Sequence, residues 1–439
     1  MSVTVVKFGG SSLADAAQFR KVASIIRSDD ARRYVVPSAP GKRFSGDRKI
    51  TDLLYQCYDD VQAGADFDNA FSPIRERFDG IVADLGLAVD LSGEYAEMKR
   101  KFSRIGARDF AASRGEHLNG ILLAAFLDIP FVDASTVIFF DETGRMDDER
   151  TYAALQKMAE ETPRAVIPGF YGLGADGEVK TFSRGGSDIT GAIVARGVGA
   201  SLYENWTDVS GFSVADPRIV TNPRVIDSIS FAELRELSYM GATVLHEDSI
   251  FPVRAAGIPI NIRNTNAPDD PGTLIVQPSD APIRTGKVTG VAGKRGFSVI
   301  TIEKDMMNSE VGFTRKVLSV LEDHNISYEH LPTGIDTLGI VLHADLLDGI
   351  EDTMLREIQE AAAPDHIEVV RNIALIAVVG RGMVRSKGIA ARLLSAIAGA
   401  DINVRMIDQG SSEMNIIIGV DEADFERAVR AVYVEFFVY

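Results

Sequence analysis

From the start of the chain to about residue 275, short apolar runs alternate with segments in which apolar residues return at every third or fourth position. Val3 to Phe8 is rich in β-branched residues and suits a buried strand. Gly9-Gly10 breaks it, and Phe19, Val22, Ala23 and Ile26 then recur at helical spacing. Tyr34 to Val36 is the next strand. The same pairing returns where a helix around Thr151 to Glu160 precedes Ala165-Val166-Ile167, and where a helix ending near Ala256 precedes Ile258 to Ile262. Strands alternating with helices predict an α/β domain, a mostly parallel sheet with helices on both faces. The stretch Ala267 to Thr289, rich in proline, glycine and aspartate, predicts a linker after a Pro-Gly turn and bounds this first domain at 1–280.

Beyond the linker the chain repeats itself. GFTRKVLSVLEDHNISY, starting at Gly312, aligns without gaps on GIAARLLSAIAGADINV, starting at Gly388, an offset of 76 residues. The strands ahead of them, Ser298 to Ile302 and Ala374 to Val378, keep the same offset. Chance likeness between two helices of common residues is weakened by the matching turn, Asn325-Ile326 against Asp401-Ile402. The period is too long for a solenoid, so the pattern predicts two copies of a small ferredoxin-like βαββαβ module, 290–371 and 372–439.

Composition narrows the function. A chain of 439 residues exceeds the size at which one core stops growing, in keeping with several domains. A formal charge of −17 speaks against a nucleic-acid or anionic-membrane partner, so any phosphate site must be local. The single cysteine, Cys57, allows no internal disulfide and fits a reducing compartment; it reads as a half-buried helix residue. No run approaches membrane-spanning length and the N-terminus lacks a signal pattern, so a cytoplasmic enzyme is expected.

Several motifs bear chemistry. In Lys7-Phe8-Gly9-Gly10-Ser11-Ser12, glycines at a strand end let backbone N–H groups approach a phosphate, with Lys7 placed to bridge it; taken alone, the run reads more readily as a plain glycine turn. Arg184-Gly185-Gly186-Ser187-Asp188 repeats the arrangement, Arg184 suiting a bidentate grip on a carboxylate and Ser187 or Asp188 equally suiting a simple N-cap. Gly172 to Gly177 matches G-x-G-x-x-G, but a strand follows it and Asp176-Gly177 is a hairpin signal, which excludes the dinucleotide reading. Thr207-Asp208 ends a strand, with Arg218 close behind to meet nucleotide phosphates. Trp206 is a core residue by preference. Glu116 reads, unaided, as a solvated helix glutamate or else as a contact for a substrate ammonium. His117 and His246 read as structural, and the histidines show no metal-ligand spacing.

Together KFGGSS, SRGGSDITGA at 183–192, TDVSGF with ADPR at 207–218, GATVLHEDS at 241–249, IRNTNAPDDPGT at 262–273 and the tail at 378–420 resemble the aspartokinases, of the monofunctional type with C-terminal tandem ACT domains. The resemblance implies an amino-acid-kinase fold with two ACT modules, and transfer of the ATP γ-phosphoryl group to the side-chain carboxylate of L-aspartate. By position it implies Lys7 and Asp188 as catalytic, and Thr51, Glu116, Arg184 and Ser187 as aspartate contacts. Gly9, Gly10, Ser11, Ser38, Thr207, Asp208, Ser213 and Arg218 are implied around ATP, with Mg2+ arriving on the nucleotide and no protein metal cage. Ser213 stands where some relatives carry a stacking tyrosine, Asn266 where some carry a lysine, and Pro37 interrupts the usual run ahead of Ser38. Met307, Phe313, Ser327, Tyr328 and Glu329 are implied effector contacts, Glu329 favouring lysine over threonine, in a homo-oligomer paired through ACT domains. Two readings compete. A related kinase for another carboxylate is opposed by the paired tail and the Arg184 run, and a non-catalytic sensor by the retention of Lys7, Arg184 and Asp188.

Overall fold

The computed structural model describes residues 2–183, 185–242, 245, 250–280 and 287–438. The chain forms two compact units: Met1–Phe212 with Val225–Phe231 and Val244–Ala281, and Ser213–Arg224 with Ala232–Thr243 and Pro282–Tyr439. Two stretches that sequence order assigns to the first domain thus belong to the second unit.

In the first unit the chain runs β1 (Thr4–Phe8), α1 (Ala16–Arg27), β2 (Arg32–Pro37), α2 (Ile50–Gln62), α3 (Phe67–Leu85), α4 (Ser92–Phe102), α5 (Arg108–Leu127), α6 (Asp148–Glu161), β3 (Ala165–Val166), β4 (Tyr171–Leu173), β5 (Val179–Thr181), α7 (Gly186–Gly197), β6 (Leu202–Thr207) and β7 (Ser228–Ser230). After α8 (Phe231–Tyr239), which leads into the second unit, come α9 (Phe251–Ala255), β8 (Ile260–Asn264) and β9 (Thr273–Val276). The described strands of the main sheet take the order β3-β2-β1-β6-β8-β9-β7, parallel except between β8 and β9. From β1 the chain crosses through α1 to β2 on one side, while β6 lies on the other. The crevice at the C-terminal ends of β1 and β6 is therefore the switch point at which such sheets bind ligands.

Alternation along β1 aims the chemistry. Val6 and Phe8 enter a core with Phe19, Val22, Ile50, Leu54, Leu118 and Trp206. Lys7 points to the opposite face, where α7 packs on β1. Asp15 caps α1 by accepting from Gln18 N at 3.0 Å, and a short 3-10 helix, Gly10–Leu13, intervenes between the glycine pair and α1. Tyr171–Leu173 and Val179–Thr181 pair as an antiparallel hairpin, with Gly177 at φ 81° in its turn, so the G-x-G-x-x-G match is a hairpin. The expected linker at 267–289 is not one throughout: β9 lies within it, its Thr273, Ile275 and Val276 buried between β8 and β7. Four residues among prolines and glycines were too few to show a period.

The second unit adds β10 (Gly290–Glu303), α10 (Phe313–Asp323), β11 (Thr337–His343), α11 (Glu351–Ala362), β12 (His366–Val379), α12 (Ile389–Gly399), β13 (Val404–Asp408), β14 (Asn415–Asp421) and α13 (Phe425–Phe437). They form one antiparallel sheet, β11-β10-β12-β14-β13. Its two long strands serve both modules. Residues 297–303 pair with β11 and with 366–370, whereas 290–294 pair with 375–379, which continue to β14. Gly296 at φ 86° and Asn372 at φ 58° break the strands at the crossover. Residues 290–294, ahead of the first module, thus lie beside 375–379 in the half of the sheet that holds β14 and β13. The first module is an insertion within the second, and the clean break expected between 371 and 372 is absent.

Candidate active site

Lys7 lies at the end of β1, in register with Asn205 on β6. Only 7% exposed, it reaches across to α7, where its Nζ is 2.6 Å from Asp188 Oδ1. Asn205 Nδ2 donates to the same carboxylate oxygen at 2.7 Å, and the Tyr203 hydroxyl donates to the Asp188 carbonyl at 3.1 Å. Asp188 sits in the first turn of α7, where the helix dipole favours a negative charge. A buried cation held by a carboxylate that is itself hydrogen-bonded is strongly coupled and geometrically fixed.

The glycine turn closes over this pair. Gly9 N donates to the Trp206 carbonyl at 3.0 Å, and a Cβ on Gly9 would lie 3.7 Å from Lys7 Nζ. Ser11 is exposed, while Ser12 is buried and shares a 2.8 Å hydrogen bond with Thr265 at the end of β8. Ser38 N donates to the Phe8 carbonyl at 3.0 Å, and Asn119 Nδ2 donates to the Ser38 carbonyl at 2.6 Å. Trp206 is buried against Phe8, its ring flanked by Arg32 and Arg263 and its Nε1 donating to Glu204, so it is a core residue.

The acceptor side is walled by α5. Glu116 is buried rather than solvated, and its Oε2 has no hydrogen-bond partner. Burial pushes its carboxyl up to about 8; the Ala39 N–H, Arg114 and the Ser187 hydroxyl offset only part of this. Ser187 is brought alongside by the close approach of Gly169, whose added Cβ would fall 2.7 Å from the serine side chain. Thr51 lies half-buried in the first turn of α2. His117 is structural, bridging Glu94 at 3.0 Å and the Tyr171 hydroxyl at 3.0 Å. Arg184, His246 and most of GATVLHEDS lie outside the described residues.

The first unit thus brings together Lys7, Gly9, Gly10, Ser11, Ser38, Thr51, Glu116, Ser187, Asp188 and Thr207 with Asp208, the last two half-exposed and exposed at the end of β6. Ser213 and Arg218 fall in the second unit, where Arg218 is engaged with Asp216 at 2.7 Å. The effector candidates divide. Met307 and Phe313 line a cavity of about 260 Å³ with Glu310 and Thr333, whereas Ser327 and Tyr328 line another of about 360 Å³ against α10. Glu329 faces His343 at 3.6 Å. Asn205, Asn119, Tyr203 and Thr265 were missed in the sequence. A polar residue inside an otherwise buried strand or helix was the available signal.

An amino acid kinase family model matches residues 2–264 and an ACT domain model matches 376–436. With the lysine site at the sheet switch point, these define an amino acid kinase carrying a regulatory ACT region. Aspartokinase 3 of Bacillus subtilis is 39% identical over 454 residues, spanning 99% of this chain and 98% of that protein. The crystal structure of Clostridium acetobutylicum aspartate kinase is 52% identical with a TM-score of 0.92, covering 99% of both chains. Aspartokinase III of E. coli, solved in complex with aspartate and ADP, is 26% identical with a TM-score of 0.73, over 99% of this chain and 100% of that one; the same E. coli enzyme is also solved with lysine and aspartate, at 26% identity, a TM-score of 0.71 and 99% of each chain. This chain belongs to the aspartokinase family, enzymes that phosphorylate aspartate with ATP in amino-acid biosynthesis under ACT-mediated feedback. Among the described residues no helix is long and apolar enough to cross a membrane.

Proposed function

We propose that 4-phospho-L-aspartate forms at the ends of β1 and β6, with Lys7 as the group that neutralises the transferring phosphoryl. The observation that carries this reading is the buried Lys7–Asp188 contact of 2.6 Å beneath the glycine turn. Asp188, with Asn205, orients the ammonium. Gly9, its N–H held by the Trp206 carbonyl, shapes the turn, and the N–H groups of Gly10 and Ser11 face the phosphates. Ser38 lines the phosphate path, and Thr207 and Asp208 hold the nucleotide. Glu116 takes the aspartate ammonium on its unpartnered Oε2, Ser187 and Thr51 fix the substrate, and Arg184 grips the α-carboxylate.

A side-chain oxygen of aspartate attacks the γ-phosphorus, the bond to the β–γ bridging oxygen breaks, and ADP leaves. The nucleophile is already anionic at neutral pH, so the reaction calls for positioning and charge neutralisation rather than a strong base. Mg2+ on the nucleotide would add Lewis-acid neutralisation. The ion would be held by the ATP phosphates and water, with the Asp208 carboxylate at hand.

The second unit is the sensor in this reading. Lysine, as an end-product amino acid, binds near Met307, Phe313, Ser327, Tyr328 and Glu329, in an oligomer paired through the ACT modules, and biases an active against an inactive arrangement. The lysine complex of the E. coli enzyme favours this over threonine. Hydroxamate-trapped acyl phosphate, titrated with lysine and threonine separately and together while mass is measured, tests it. Inhibition by lysine alone is expected; inhibition by threonine alone, or by neither, overturns the effector assignment.

A further inference from the structure

The excursion between β2 and α2 carries charge at odds with the rest of the chain. Residues 41–49 hold four cations and one carboxylate in a protein of formal net charge −17. The ends of this loop meet, Ile50 N donating to the Pro40 carbonyl at 3.3 Å, which makes it a closed Ω-type excursion. Its neck rests on the phosphate turn. Gly41 N donates to the Gly10 carbonyl at 2.8 Å, and a Cβ on Gly41 would lie 2.6 Å from the Gly10 carbonyl carbon and 2.7 Å from Ser11 N. On the other side of the neck, the Ala39 N–H serves Glu116 and Thr51 opens α2. The loop therefore leaves the surface between the residues assigned to ATP and those assigned to aspartate.

Within the loop the lone carboxylate is taken up by arginines. Asp47 accepts from Arg43 Nε at 2.8 Å and from the buried Arg77 at 2.7 Å, and Arg77 also donates to the Gly41 carbonyl at 3.1 Å. The Arg43 hydrogen bond in particular holds the Asp47 carboxyl well below the usual range. This clasp fixes the base of the loop and leaves Lys42, Arg48 and Lys49 exposed, with no carboxylate at ion-pair distance among the described residues. A solvated surface loop accounts for exposed cations in general. It does not account for three of them, unpaired on an acidic protein, at the neck of a site whose substrates are both anions.

We propose that loop 41–49 is a cationic flap over the transfer site, and that Lys42, Arg48 and Lys49 engage the polyphosphate of the nucleotide. The proposal rests on the kinase reading above. It gives the flap the task of drawing in and neutralising phosphate charge where a second anion must approach.

The test uses the full chain carrying Lys42→Gln, Arg48→Gln and Lys49→Gln together. The KM for ATP is expected to rise about tenfold and the ionic-strength dependence of kcat/KM to flatten, because steering by charge is what salt screens. A charge-keeping variant, Lys42→Arg with Arg48→Lys and Lys49→Arg, is expected to restore both. If the triple variant fails to fold, the three single glutamine variants are each expected to raise that KM about two- to threefold. An active wild type whose variants keep its KM for ATP and its salt dependence overturns the flap and leaves the kinase reading intact. A wild type that makes no acyl phosphate overturns the kinase reading itself.

Discussion

The strongest quantitative consequence concerns Glu116. In the substrate-free protein burial pushes its carboxyl up to about 8 from the ordinary 4.5, so at neutral pH the side chain is mostly protonated. The proposed partner, the aspartate ammonium, requires the ionised form. One unit below its midpoint about one tenth of the molecules carry the charge, and two units below about one hundredth, each unit corresponding to about 1.4 kcal/mol. The KM for aspartate is therefore expected to fall about tenfold between pH 6 and pH 7, about fivefold between pH 7 and pH 8, and to level off above. The assay is initial-rate acyl phosphate formation at saturating ATP across that range, while kcat at saturating aspartate keeps a flatter profile. Glu116→Gln cannot ionise, so its KM is expected to stay high and lose the slope. A flat KM in wild type, or the same slope in Glu116→Gln, would refute the assignment of Glu116 to the ammonium.

Three further consequences follow from the packing. Because the folded state keeps a proton on Glu116 that the unfolded chain has lost, wild-type stability is expected to decline as pH rises from about 4.5 to about 8 relative to Glu116→Gln; thermal melts of both across that window check the sign. Gly41→Ala would place a Cβ 2.6 Å from the backbone of Gly10, so it is expected to cost about 1–3 kcal/mol of stability and to raise the KM for ATP, as melting and kinetics would report. In the second unit the buried Glu233 accepts from Arg381 N at 2.9 Å and from the Thr289 hydroxyl at 2.7 Å, so Glu233→Ala is expected to destabilise by about 3–5 kcal/mol in denaturant melts, and a loss under 1 kcal/mol would contradict that role.

What could be read from the sequence depended on whether its cause was local. A β-branched run broken by two glycines identifies the end of β1 without any knowledge of the rest, and alternation alone turns Lys7 away from the core that holds Val6 and Phe8. Glu116 could not be read the same way. Helix α5 is buried almost all round, with Ser113, Arg114, His117 and Asn119 as well as Glu116 inside it. The partners of Asn119 and His117 come from distant segments, Ser38 for the first and Glu94 and Tyr171 for the second, so no periodicity along the helix marks them. The threading of the ACT modules was hidden for the same reason. The repeat at 76 residues records two copies, but which strand completes which sheet is decided by pairing between 290–294 and 375–379, over 80 residues apart in the chain.

In the proposed reaction the lysine at the end of β1 neutralises a phosphoryl group on its way to aspartate. Hydroxylamine trapping of the product, with L-aspartate and ATP, tests it most directly when wild type and Lys7→Ala are run side by side. Wild type is expected to yield aspartyl hydroxamate, and Lys7→Ala to lose about 10²–10³ in kcat with the fold retained by melting. Full activity in Lys7→Ala would contradict it.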